Sequence, residues 1–551
     1  MIAAGTTGLI AATAAGTARA AARGRPEAGD GTPEQVHLTW GDDPARVVVV
    51  SWVSAGRADR PRVRIGQRVI AATERTRTDP LTGGVGWTYH ARVAGLRPGA
   101  TYGYAVTADN DASAADPFSA TFTTAPEGRA AFRFTSFGDL AAAAEDDWQA
   151  AYAVGAVEAF QPLFHLLNGD LADSGQNAAA GPARPALPEF ANTVQASAAN
   201  RPWLPVPGGH GAGDQEPGTG DQGPGSFLTG YTLPSNGADG FEGRWYSFRV
   251  GTALFVCLSG DDVAYQDAGG PAADPAPQVD ASAGTPPAAG GAHSRGRGYS
   301  GGAQTRWLET TLAAARGDAS IDWIVVQVHQ CACSSAAGGG SDAGLRREWL
   351  PLFDTYEVDL VLSGHDHGYE RSFPVRGADL WAGTDREAGA AADTRRPHPV
   401  TTVDSGVFDT SQGTVHLVLG GGMPGSAGSP DRGPGSPARL ARVFTQPGRA
   451  APDGPGPDRL VPPAADVIES ATWSARRDDS AGYGIAVFDV DPGSEVGRQT
   501  SITARYYRAV PADPALPAPG EAGPPSGDYT LFETFTLVRP RSDGRRWHPR
   551  R

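Results

Sequence analysis

An all-β sandwich followed by a layered α/β domain is the fold class that this 551-residue sequence predicts. Three observations predict it. Short segments rich in β-branched and aromatic residues, broken by turns, occupy roughly the first hundred residues. Apolar strands then alternate with helical stretches, the pattern of buried strands covered by helices. Alternating strands return near the end.

The sandwich spans residues 33–127, and its strands read in order as "VHLTW", "RVVVVSWVS", "RVRIG", "WTYHARVAGL", "TYGYAVTA" and "SATFTT". Many alternate apolar with polar residues, as half-buried strands do. In "GLRPGATYGYAV" a Leu-x-Pro-Gly turn leads into a Tyr-x-Tyr strand. That piece is similar to fibronectin type III-like domains. "TTAPEG" serves as a linker.

The α/β domain covers residues 128–540. Its elements are the strand "AFRFTSFGD", a helix around "EDDWQAAYAVGAVEAF", the strand "LFHLLNGD", and the strand in "WLPVPGGH". There follow a helix in "GAQTRWLETTLAAAR", the strand "DWIVVQVH", a helix in "LRREWLPLFDTYE", and the strand "VDLVLSGHDH". "GYGIAVFDVDP", "TSITARYYRAV" and "YTLFETFTLV" complete a second sheet of the same domain. Segments 178–188, 211–225, 267–302, 335–343, 380–412 and 421–464 are rich in Gly, Ala, Pro, Ser and Asp. They read as long, partly disordered insertions. Residues 541–551 form a basic tail.

Composition narrows the function classes. The formal charge of -15 argues against a general nucleic-acid binder, because phosphate backbones attract basic surfaces. Every Lys/Arg-type cation is Arg, which reads as GC-rich coding bias. Residues 1–32 resemble an export signal with a plausible cut at "ARA" near Ala20, although the basic start of such a signal is missing. The expected location is therefore secreted or cell-surface, with the signal truncated. No other stretch has the apolar length to span a bilayer. Cys257, Cys331 and Cys333 imply no disulfide framework. Cys331 and Cys333 read as buried loop thiols.

Chemistry concentrates at strand ends. "FRFTSF" ends in Gly138-Asp139 and "LFHLLN" in Gly169-Asp170. "LPVP" ends in Gly208-Gly209-His210, "WIVVQV" in His329, and "VDLVLS" in Gly364-His365-Asp366-His367. In α/β sheets this edge is where ligands bind. Each residue has an ordinary alternative: an Asp after a strand is often a helix N-cap, and a lone His is often a surface group. In this order they suit Zn, Fe or Mn, since Ca or Mg would take oxygen donors alone. A carboxylate can bridge two cations, which lower the pKa of a shared water and clamp a phosphoryl oxygen. His416 and His293 read as bystanders.

These motifs resemble those of the calcineurin-like metallophosphoesterases, and more closely the bacterial purple acid phosphatases. "GHDHGYERS" is the most specific match; "HLLNGDLA", "DWIVVQVHQ" and "RGYSGGAQTRWLETTL" extend it. The resemblance implies a fibronectin-like domain joined to a four-layer α/β domain with two central sheets. It implies two metal ions, Fe with Zn, Mn or Fe. Asp139, Asp170 and His367 would take the first, and Asp170, His329 and His365 the second. His210 matches a histidine that touches the phosphate or protonates the leaving oxygen, a task suited to an imidazole.

The chain departs from the family at two positions. Asp173 stands where the family has the iron-binding Tyr, so it is expected to be an oxygen ligand without the purple colour. Gly209 stands where the family has a metal-binding Asn, which weakens the second site. The implied activity is hydrolysis of phosphomonoesters, with diesters as second candidates, by a metal-bound hydroxide. Phosphorylated small molecules are the expected partners; no signature fixes the oligomeric state. The competing reading is a secreted binding protein on an inactive scaffold.

Overall fold

The structure, a computed structural model, describes residues 31–78, 85–112, 116–140, 147–171, 186–208, 227–266, 299–336, 339–380, 395–421, 439–445, 466–478, 483–510, 528–544 and 547. The N-terminal part is β-rich. Strands Glu34–Trp40, Val48–Ser54, Val85–Val93 and Thr73–Thr78 form one four-stranded antiparallel sheet in that order. Arg68–Ala71, Arg62–Ile65, Thr101–Thr107 and Phe118–Thr123 form the other. Alternate residues such as Val48, Val50 and Trp52, or Tyr89, Ala91 and Val93, enter the core. Arg68–Ala71 and Thr73–Thr78 were not among the expected strands. The second reads "TERTRT" and has no apolar face to reveal it.

The second part holds two seven-stranded mixed sheets. The first runs Trp203–Pro205, Phe164–Leu167, Phe132–Phe137, Tyr483–Asp491, Gln499–Val510, Asp528–Pro540, Val407–Asp409. Its first three strands are parallel. The second runs Tyr246–Val250, Ala253–Cys257, Trp323–Val328, Leu360–Ser363, Val415–Leu419, Tyr369–Ser372, Ser474–Asp478. Four of its strands, from Ala253–Cys257 to Val415–Leu419, are parallel.

Side-chain alternation explains the stacking. Phe255, Trp323, Val325, Leu360 and Leu362 share a core with Phe134, Phe164 and Phe488 of the first sheet. Their neighbours Val256, Ile324, Val326 and Val361 pack with Leu308 and Leu312 of helix Ala303–Gly317. Phe255 stands edge-on to Phe134 and to Phe164, both at 5.1 Å. Parallel register then aligns the carboxyl ends: Phe137 with Leu167, Leu167 with Pro205, and Val328 with Ser363.

Several expectations need correction. The three terminal strands do not build a separate second sheet; they extend the first one, with Tyr483–Asp491 beside Phe132–Phe137. Phe488 stacks on Phe134 at 4.5 Å, which fixes that neighbour. The helix expected in "LRREWLPLFDTYE" is two helices, Ala343–Glu348 and Leu350–Thr355, divided at Trp349; Pro351, in the first turn of the second, has no N–H to continue the ladder of the first. Helix Ala186–Ala198 begins inside a segment expected to be an insertion. The described parts of 335–343, 380–412 and 421–464 are also built structure. They include Ser341–Asp342, Arg395–Pro399, Val407–Asp409 and Arg439–Phe444. Composition alone misses them because their partners are remote in sequence.

The two parts share a core. Trp40 packs against Phe164 at 4.8 Å and Phe248 at 5.6 Å. Tyr104 donates to the Ala199 carbonyl at 2.8 Å, and Thr39 to that of Thr232 at 2.6 Å. No helix among the described residues is long and apolar enough to cross a membrane.

Candidate metal centre

The two sheets meet at their carboxyl edges. Gly138 donates its N–H to the Leu419 carbonyl at 2.7 Å, and Asp139 donates its own to Gly169 at 3.1 Å. Asp139 and Asp170 take left-handed backbone angles, φ 61° and 45°, and His365 does so at 66°. An N-cap is normally extended, so the helix-cap alternative does not describe either Asp. Non-glycine residues held at positive φ carry strain that the surrounding structure must support, and such residues gather at functional sites.

Side chains converge from both sheets. Oxygen and nitrogen atoms of Asp139, Asp170 and His329 all lie within 4.8 Å of one another, and all three residues are buried. His329 Nε2 is 3.2 Å from Asp170 Oδ1. His365 Nδ1 is 3.3 Å from His329 Nε2. His367 Nε2 is 3.9 Å from Asp139 Oδ1. The His365 backbone N–H donates to both Asp139 oxygens, at 3.0 and 2.9 Å, which orients that carboxylate.

The His329 tautomer follows from its partner. Nδ1 is 2.9 Å from the Asn168 carbonyl, an acceptor, so Nδ1 carries the hydrogen. Nε2 is left facing the cluster; with a metal bound the neutral ring would present its lone pair there, as metal-ligating histidines do, and without one Nε2 carries a proton toward Asp170. Asn168 is held by Ser136, which donates to its Oδ1 at 3.1 Å. Its role was not read from the sequence, where "LLNGD" shows a side chain and the working atom is a carbonyl. Gly169 has φ 83°, and a Cβ there would lie 2.5 Å from His329 Nδ1. Only glycine lets the turn press against the ring.

The electrostatics suit a cation. Burial pushes the Asp139 carboxyl well above the usual range; Asp170 and Asp366 add to this, and His329 opposes it. Burial works against a charged His329, but the Asp170 and Asp139 carboxylates outweigh it and raise the ring to about 10. Burial keeps His367 below the ordinary histidine value, which leaves its ring neutral near pH 7. Crowded carboxylates with imidazole nitrogen match the donor set of Zn, Fe or Mn, so these residues fit a metal.

The structure thus brings together Asp139, Asp170, His329, His365 and His367. Asp173, Gly209, His210 and His293 lie outside the described residues. Gly208 is described, and a Cβ on it would lie 2.2 Å from the Asp170 nitrogen. The chain therefore leaves Gly208 in contact with Asp170. His416 sits in strand Val415–Leu419, buried, with its ring held neutral by burial at a pKa of about 3. Cys331 and Cys333 are buried free thiols, raised by burial, Cys333 to about 12. Cys331 donates to the Gly364 carbonyl at 3.2 Å and so supports the turn before His365.

Comparison with known proteins gives three findings. A sequence-family profile described as "Purple acid Phosphatase, N-terminal domain" matches residues 33–125. The uncharacterized protein Rv2577 of Mycobacterium tuberculosis is 37% identical over 566 positions, covering 98% of this chain and 93% of that protein. Its counterpart from a second strain of that organism matches equally. Among solved structures, a purple acid phosphatase from yellow lupin (Lupinus luteus) seeds matches at TM-score 0.56 and 17% identity, over 93% of this chain and 75% of that one. A structure of PhoD matches at TM-score 0.54 and 12% identity, over 94% and 92%. These two establish likeness of fold.

Proposed function

We propose that this chain, a divergent purple acid phosphatase-like protein, is an exported, metal-dependent phosphatase acting on phosphomonoesters. The observation that carries the proposal is the buried Asp139–Asp170–His329 cluster, with His365 and His367 beside it, at the carboxyl edge of the sheets. The reading includes a fibronectin type III-like N-terminal domain and a helix–sheet–sheet–helix stack; the two alternating core faces support the latter.

In this reading Asp139, Asp170 and His367 hold one metal, and Asp170, His329 and His365 the other. Asp173 adds an oxygen to the first. Fe paired with Zn, Mn or Fe suits the donors. The second site is the weaker because Gly209 offers no side chain. Bound cations would supply Lewis acidity to water and to phosphoryl oxygens. The protein's own groups do the positioning. Asn168 directs His329 Nε2 inward, and the His365 N–H holds Asp139. His210, two residues after the Gly208–Asp170 contact, is assigned to the phosphate and to protonating the leaving oxygen.

The test is hydrolysis of a chromogenic aryl phosphate by protein purified without chelators, with Mn, Zn or Fe added. Turnover that falls in His210→Ala while metal content holds supports the proposal. Bound metal without turnover would favour a binding protein on this scaffold.

A further inference from the structure

Asp366 separates His365 from His367 and is only 4% exposed. Both its carboxylate oxygens accept the Gly340 N–H, at 3.2 and 3.0 Å. A Cβ on Gly339 would lie 1.8 Å from Asp366 Oδ1 and 3.2 Å from His365 Cδ2. The Gly339–Gly340 backbone therefore bonds the carboxylate and lies beside the edge of the His365 ring, with no room for a side chain between them. Another atom of that ring, Nδ1, faces His329 Nε2 at 3.3 Å. The imidazole is bracketed between a neighbouring histidine and a glycine pair.

The glycine pair is anchored downstream as well. Ser341 and Asp342 pair with Val443 and Phe444. Asp342 accepts the N–H groups of Tyr265, Gln266, Gly344 and Leu345. Asp366 fixes the Gly340 end of the same short run. His365 itself sits at φ 66°, a conformation that the surroundings must hold in place.

We infer that Asp366 is a positioning residue: it pins Gly339–Gly340 against His365 and thereby fixes the imidazole assigned to the second metal. The geometry stands alone; the consequence for metal binding rests on the proposed function. The absent side chain at Gly209 leaves that metal more dependent on His329 and His365, so the orientation of His365 carries more weight here.

Two substitutions separate charge from hydrogen bonding. Asp366→Ala removes the acceptor, whereas Asp366→Asn removes the charge and keeps an acceptor oxygen. Gly339→Ala attacks the same contact from the other side and leaves Asp366 intact, in case Asp366→Ala fails to fold. The first readout uses metal-stripped protein: the rate of diethyl pyrocarbonate modification at His365, mapped by peptide mass spectrometry. Faster modification in Asp366→Ala and Gly339→Ala, with Asp366→Asn close to wild type, is expected. The second readout is calorimetric titration with Mn2+. The weaker binding step should lose about 10–100-fold in Asp366→Ala, the usual cost of removing a partner that orients a ligand, and be largely kept in Asp366→Asn. Equal His365 modification in wild type, Asp366→Ala and Gly339→Ala would overturn the inference. Wild-type protein that binds no Mn2+ would defeat the metal reading, and the modification rates would still decide the role of Asp366.

Discussion

Asp170 is the residue on which both proposed metal positions depend, and Asp170→Ala is expected to abolish metal uptake altogether, as read by elemental analysis. Restoring Asn at Gly209 should tighten the second metal; an unchanged metal content and rate would remove Gly209 from the ligand position. The protonation of His329 gives a prediction with a definite sign. Burial opposes its charge, yet Asp170 and Asp139 raise it from 6.5 to about 10. In metal-stripped protein that pairing stabilises fully below pH 6.5 and is lost as pH rises through about 10. Asp139, raised chiefly by burial, acts in the same direction. Thermal melts of metal-stripped protein should therefore fall between pH 7 and 10, and fall less in Asp170→Asn. At this scale the sequence was informative about which polar strand-end side chains come together. It was silent on Asn168, whose carbonyl does the work, and on Asp366, whose role depends on a glycine pair about 26 positions away.

Among the elements, the apolar strands were the most legible, because buried parallel strands read as continuous apolar runs. Sheet membership was not, since the placement of Tyr483–Asp491 is decided by packing of Phe488 on Phe134. Polar anchors joining elements were also invisible. Asp359, fully buried, accepts from Arg316 of helix Ala303–Gly317 and from Arg539 of strand Asp528–Pro540, and Thr410 donates to it at 2.6 Å. Burial, together with the neighbouring Arg539, lowers Arg316 to about 10. Asp359→Ala would remove the carboxylate that Arg316 and Arg539 share, leaving Arg539 only the Glu357 carboxylate at 3.4 Å, and urea denaturation should show a loss of about 3–5 kcal/mol.

For the whole molecule, the N-terminal part is built into the core rather than tethered to it. Trp40 is fully buried against Phe164 and Phe248, which belong to the two different sheets of the second part. Trp40→Ala should cost about 3–5 kcal/mol and split a single unfolding transition into two. Calorimetry showing two transitions already in the wild type would contradict this coupling. The β-rich character of the N-terminal part was readable from alternation, whereas its docking was not, because Trp40 looks like any other core residue of its strand. The central claim is that Asp139, Asp170, His329, His365 and His367 form a metal centre that hydrolyses phosphate esters. The most direct measurement is metal content per chain, taken alongside aryl phosphate turnover, before and after chelation and metal restoration. The account predicts bound metal, turnover that disappears with chelation, and recovery on adding Mn, Zn or Fe. Protein that binds no metal and shows no turnover under any of these conditions would contradict it.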